Sequence, residues 1–301
     1  MIDFRYHLVS LIAVFMAIAL GIIIGTTALN APILADIERQ VTALEKDKRA
    51  LEDRTQNLQT QVNSADKFEQ AVAPALVDST LAGTKVLLVT TNEDVAPETV
   101  DQVTALITQA GGTVSGSIAL QPEYSDPSTS SSLQSYVTGT GLPTGFRLPE
   151  TDDTGKLVGS LIGQALMIPA GGSVAPDGAA VSSVIAGLVA LNVLTQTSDS
   201  VAPAEYAVVL TSGAFTGDDA ADRNATVVDL VSALDAAGSG AVVAGDAESA
   251  GDNGLIGALR ADPALSSAVS TVDNVGNIAG RISTVLALGA EGKGTSGRYG
   301  T

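Results

Sequence analysis

The feature that most restricts this chain is an uncharged run of 22 residues, Leu8 to Leu29. As an α-helix rising about 1.5 Å per residue it reaches about 33 Å, the thickness of a bilayer's hydrocarbon core. A cleaved signal peptide is the rival reading, but it would have a shorter apolar centre, a more basic start than Asp3 with Arg5, and a small-x-small cleavage site. The nearest candidate for that site, ALNA at Ala28 to Ala31, is a poor match. The run therefore reads as an uncleaved transmembrane helix over residues 8–29. Arg5 and the free amine precede it and Asp36 and Glu38 follow it, so the positive-inside bias places residues 1–7 as a cytoplasmic arm. The bulk of the chain is then extracytoplasmic, held at the inner (plasma) membrane by a single pass.

Inside the span every fourth residue from Ala13 through Ala17 and Gly21 to Gly25 is small. That spacing puts a flat strip on one helix face, where two backbones can approach closely. Because Gly and Ala are common in membrane helices, mere composition is the competing explanation. Directly downstream, Leu34, Ile37, Val41, Leu44, Lys48, Leu51, Thr55, Leu58, Val62 and Ala65 step alternately by three and four. These are the a and d sites of a coiled coil, assigned to residues 30–72. The alternative is one amphipathic helix folded against its own domain. Lys48 and Thr55 sit in the middle of the a row, where polar residues weaken a seam and select register and strand number, two strands being favoured. In a parallel pair Asp47 would face Glu52 of the second copy, so the seam is either loose or shaped to receive another helix. Paired spans would feed two helices into one seam, and both signals point to a homodimer.

Charge and composition remove several chemistries. The chain has 15 Lys plus Arg against 33 Asp plus Glu, a formal net charge of −18, and 24 of the acids but only 8 of the bases follow residue 70. So acidic an outer part repels phosphate backbones and anionic lipid, which argues against nucleic-acid binding. With no cysteine there is neither a disulfide nor a thiolate nucleophile, and the single histidine is His7. A Ser-His-Asp site or a His-ligated zinc site outside the membrane lacks its residue types, so no catalytic residues are assigned.

From about residue 84 short apolar runs alternate with helical patterns. KVLLVTT (85–91), PETVDQVTALITQAG (97–111) and TVSGSIAL (113–120) read as a βαβ unit, with Pro97 in the first helical turn and Gly111 at the end. The polar stretch near 121–150 reads as a flexible excursion with at most one short helix. VSSVIAGLVALNVL (181–194) reads as a helix, YAVVLTS as a strand, ATVVDLVSALDAAG as a helix and AVVAG (241–245) as a strand. A helix near Leu255 to Arg260, a short strand in VSTV and a helix in IAGRISTVLALG complete the pattern. Strands alternating with helices predict a three-layer α/β domain with a mainly parallel sheet over 73–301.

Ligands of such sheets bind beyond the carboxyl ends of the strands. The loop after the first strand, NEDVAPE, has no glycine, the one G-x-G-x-x-G string, Gly292 to Gly297, follows a helical run instead of leading from a strand into a helix, and no P-loop occurs, so no nucleotide cofactor is expected. The loops after YAVVLTS and AVVAG gather Asp218, Asp219, Asp222, Asp246, Glu248 and Asp252. A cation site there is conceivable, but the spacing does not match a calcium loop and solvated acidic loops are commoner, so no metal ligands are assigned.

The opening FRYHLVSLIAVFMAIALGIIIG, the coiled coil, the segment STVDNVGNIAGRISTVLALG (270–289) and the ending RYGT resemble the actinobacterial family named for the copper transport protein MctB, over the whole chain. The nearer likeness is to its corynebacterial cell-separation member, SteB. The family name implies an envelope protein that lowers intracellular copper. The SteB likeness implies joint action with a SteA-like membrane protein to activate a RipA-like peptidoglycan hydrolase, which is implied to carry a helical segment. Copper favours thiolate, thioether or imidazole, and the donors of those types are His7, Met1, Met16 and Met167. A membrane anchor, a spacer and a protein-binding seam are what regulation of daughter-cell separation would need. The expectation is therefore a non-enzymatic division scaffold that works as a homodimer without a cofactor, whose outer region does not hold copper tightly.

Overall fold

The computed structural model describes residues 4–139, 142–143, 145–172 and 175–301, with the side chains of 4, 5 and 26–34 left aside. It divides into two units, Met1–Ala65 and Asp66–Thr301. The first unit is built on helix α1 (Phe4–Val77), whose stretch Tyr6–Gly25 has a mean hydropathy of 2.8 and is long and apolar enough to cross a membrane. Beyond the span, the helix is sustained by good helix formers and by i,i+3 and i,i+4 ion pairs. Asp36–Arg39 lies at 3.5 Å, Glu45–Arg49 at 3.7 Å and Lys48–Glu52 at 3.4 Å. All are exposed, so each contributes only about a few tenths of a kcal/mol. Pro32 has no N–H for the helical ladder, which leaves the junction between span and seam one hydrogen bond short.

The second unit is organised by a seven-stranded sheet. Its strands are β1 (Lys85–Thr90), β2 (Thr113–Leu120), β3 (Leu194–Gln196), β4 (Tyr206–Leu210), β5 (Ala241–Ala244), β6 (Ser270–Val272) and β7 (Arg298–Tyr299), in the order β3-β2-β1-β4-β5-β6-β7. All neighbours run parallel except β3, which is antiparallel to β2. The central strands are apolar on both faces because helices cover both. Along β1, Val86 and Leu88 face one core while Leu87 and Val89 face the other, as a period of two requires. The first core packs α2 (Pro97–Gln109), α9 (Ile278–Glu291) and the buried Ala73 and Val77 at the end of α1. The second packs α3 (Ser130–Thr138), α4 (Thr154–Leu166), α5 (Gly178–Ala190), α6 (Ala220–Ala237) and α7 (Leu255–Ala261), after which comes the short α8 (Pro263–Ala268). The three-layer α/β fold expected from the run pattern is the one observed.

Two segments depart from the sequence reading. The run at 181–194 is helical only to Ala190: Asn192 adopts φ 59, a left-handed turn that asparagine tolerates, and the chain emerges as the antiparallel edge strand β3. Helix α4 is not marked by the run pattern, and it is seated closely against α6. Gly155, Gly159 and Gly163 form its contact face, and a Cβ on Gly163 would stand 2.7 Å from the Ala233 carbonyl oxygen of α6. The spacing of small residues that marks the span thus recurs at a close crossing of two helices in the domain. Within the stretch near 121–150, α3 buries Leu133 and Val137 and a preceding 3₁₀ turn buries Tyr124, while residues 140, 141 and 144 lie outside the described residues.

Candidate functional site

Strand order reverses between β1 and β4, since β1 leads through α2 to β2 on one side while β4 lies on the other. The loops leaving their carboxyl ends diverge there and open a crevice. Two adjoining hollows of ≈190 Å³ and ≈220 Å³ occupy it, both lined by Thr91, Asn92, Asp94, Phe215, Arg223 and Val227. The floor is knitted across the two strands: the Thr91 hydroxyl donates to Thr211 Oγ1 at 2.9 Å and Asn92 Nδ2 donates to the Ser212 carbonyl at 2.7 Å. Arg223, in the first turn of α6, lies 4.9 Å above the Phe215 ring, and its Nε approaches Ser125 Oγ at 3.4 Å. Tyr124 lines one hollow while only 2% exposed, and burial, reinforced by the Asp229 charge, pushes its phenol far up so that it stays neutral.

The acidic loops gathered by the sequence reading enter this region but serve the backbone. Asp246 accepts from Ser212 Oγ at 2.6 Å, from the Gly213 amide at 3.0 Å and from the Ser249 amide at 2.8 Å. Burial works against its ionisation, yet the Ser212 hydroxyl and the Ser249 and Gly213 amides outweigh burial and hold the carboxyl below the usual range. Asp222 lies instead in the first turn of α6, beside a different hollow. Among the described residues no group of three or more acids or histidines is placed to hold a metal ion.

The surfaces assigned from periodicity all lie on α1. Ala13, Ala17, Gly21 and Gly25 fall on the span, and a Cβ on Gly21 or Gly25 would meet nothing within 4 Å. In the seam Ile37 is 50% exposed, Val41 48%, Leu44 70%, Leu51 64%, Leu58 52% and Val62 52%. Leu34 lies outside the described side chains. The two polar a-site residues satisfy themselves within their own helix, Lys48 with Glu52 and the Thr55 hydroxyl with the Leu51 carbonyl at 2.8 Å.

The motifs at the far end of the chain meet in space. Asp273, from the segment 270–289, accepts from Arg260 Nη1 at 2.6 Å and from the Thr301 amide at 2.8 Å, while Arg260 Nη2 donates to the Tyr299 carbonyl at 2.8 Å. This fastening of β7 is structural, and only the tertiary fold reveals it.

Comparison with known proteins agrees with these motifs. The profile of the family described as "Copper transport outer membrane protein, MctB" matches residues 1–301. The chain is 32% identical over 307 residues to the copper transporter MctB of Mycobacterium bovis, covering 100% of this chain and 96% of that one. A protein of the same name in Mycobacterium tuberculosis is matched to the same extent. The copper transporter MctB of Mycobacterium leprae is 33% identical over 309 residues, again covering 100% and 96%. With the whole length matched both by the profile and by these relatives, the chain belongs to the MctB family.

Proposed function

We propose that this protein is a non-enzymatic membrane-anchored scaffold of the cell envelope that dimerises through α1 and, with a SteA-like membrane partner, engages a RipA-like peptidoglycan hydrolase through that hydrolase's helical segment. The observation that carries this reading is the seam. Six large apolar side chains at heptad spacing are about half or more exposed on a helix that otherwise carries charge. Their burial against another helix would gain about 25 cal/mol per Å² of apolar surface. Span and seam belong to one continuous helix, so two copies anchored with the same orientation in one membrane would enter the seam parallel. In that arrangement the charged positions beside the seam are Glu38, Glu45, Asp47 and Glu52 against the single base Arg54, and Lys48 lies within it. A homodimer of this kind is weak enough to yield to a helix with basic flanks, which supports exchange of partners as the mode of action.

The test replaces Leu44, Leu51 and Leu58 with Asp in the full chain held in detergent and measures dimer mass and hydrolase binding together. Both should be lost. A variant that stays dimeric and still binds the hydrolase would place association on the α/β domain instead.

A second reading, copper transport, is favoured by the family description and by the names of the mycobacterial relatives. The donor set weighs against it, because copper's preferred ligands are limited to His7, Met1, Met16 and Met167, and Met167 is only 1% exposed in the core. The sheet is also open and mainly parallel, whereas outer-membrane barrels are closed and antiparallel.

A further inference from the structure

We infer that the crevice at the carboxyl ends of β1 and β4 binds a small zwitterion of the free α-amino acid class. The place is the one where open α/β sheets take their ligands, and each hollow is smaller than a drug-sized site of ~300–1,000 Å³. Two polar groups lining it, on Asn92 and Arg223, are unused by the protein, and a third, on Tyr124, is buried between it and the hollow beside Asp153 and Asp222. The Tyr124 hydroxyl is fully buried without a hydrogen-bond partner. Asn92 Oδ1 is equally unpartnered, and its orientation is fixed because Nδ2 must face the Ser212 carbonyl, which can only accept. Arg223 is positioned through Nε and its ring contact, which leaves its Nη groups available. Native folds rarely leave buried polar atoms unsatisfied, so a donor and an acceptor brought by a ligand are the natural complement.

The charge layout selects the ligand. Arg223 and Asp94 line both hollows and Glu93 lines one, yet among the described residues Arg223 forms no ion pair. Opposite charges that share a hollow without meeting leave a gap for a molecule carrying both signs. Its carboxylate would bind the Arg223 guanidinium in a forked pair, and its ammonium would face Asp94 and donate to Asn92 Oδ1. A simple anion would meet Asp94 and Glu93, and a simple cation would meet Arg223; each is disfavoured by one end of the crevice. The inference is independent of the seam.

The experiment titrates the full chain in detergent with glycine, L-alanine and L-serine by calorimetry and by saturation-transfer NMR. Propionate, which lacks the ammonium, L-alanine methyl ester, which lacks the carboxylate, and inorganic phosphate are the controls. Saturable binding of L-alanine is expected, at least tenfold tighter than of propionate or the ester, with phosphate inert. Arg223→Met should weaken L-alanine at least tenfold. Asp94→Asn, on the exposed rim where folding is not at stake, should weaken it at least threefold. No saturable signal from any of the three amino acids, propionate or phosphate binding as well as L-alanine, or unchanged affinity in Asp94→Asn would each overturn the assignment.

Discussion

Arg260→Met should unfold the C-terminal edge of the sheet at a cost that depends on pH. Asp273 is 2% exposed at its side chain and Arg260 18%, with the charged atoms 2.6 Å apart. Removing one member of such a buried pair strands the other charge, which typically costs about 3–5 kcal/mol. Loss of the Arg260 bonds to Thr271 Oγ1 and the Tyr299 carbonyl adds about 1 kcal/mol each. Against a typical domain stability of about 5–15 kcal/mol, that is a third or more. In the native protein burial works to raise the Asp273 pKa, but the Thr301 amide and then the Arg260 guanidinium outweigh it and hold the carboxyl below its usual value of 3.8. A folded value lower than the unfolded one stabilises above pH 3.8 and is lost as pH falls through the folded value. In Arg260→Met the carboxylate keeps the Thr301 amide but loses the guanidinium, so its pKa rises relative to the native protein and its penalty should fade as pH drops toward 4. The stability gap between native protein and variant should therefore be widest near pH 7 and narrow on acidification. Urea unfolding followed by tyrosine fluorescence would measure the gap, and hydrogen exchange would locate the loss at β6 and β7. In Arg260→Met with Asp273→Asn, part of the loss should return, a coupling of about 2 kcal/mol or more. A gap constant between pH 7 and pH 4, or simple additivity of the two substitutions, would refute the buried-pair reasoning.

Asp235→Asn should stabilise the domain at pH 7.5. Burial and then the Glu291 charge push Asp235 up to about 6, so the ionised form carries a penalty that grows as pH rises from 3.8 through 6. Discounted for partial exposure, the gain is about 1–2 kcal/mol, and it should vanish toward pH 4, since the amide oxygen can still accept from the Ala241 N–H. Gly21→Leu with Gly25→Leu should preserve membrane insertion but separate paired spans, and a membrane two-hybrid signal unchanged by the pair would make the stripe merely compositional. Copper calorimetry on the full chain should show no submicromolar site in the outer region; finding one would favour the transport reading over the scaffold.

Elements that depend on local pattern were legible in advance. The apolar stretch of α1 follows from 22 uncharged residues, the helix beyond it from a three-and-four repeat, and the strands at 85–91, 206–212 and 241–245 from short apolar runs, because each signal is a period written along one stretch of chain. Helix α4 escaped notice because its glycines are weak helix formers, tolerated here only where they let α4 approach α6. The turn at Asn192 and the two-residue strand β7 were equally hidden, since each is held by contacts made far away in sequence.

The candidate sites divide along the same line. The sequence by itself determined the long apolar helix, the heptad-spaced apolar row after it and the acidic balance, which need no knowledge of what packs where. The acidic loops looked like one cluster in sequence, but the fold assigned Asp246 to a link between Ser212 and Ser249 and Asp222 to another hollow. Only the tertiary structure brought Asn92, Tyr124 and Arg223, from three separate segments, to the lining of one crevice, and joined Asp273 to Arg260 and Thr301. The physical reason is that helix and heptad periods arise between residues a few positions apart, whereas strand order, and with it the place where loops diverge, is settled by which apolar faces bury one another across the whole domain.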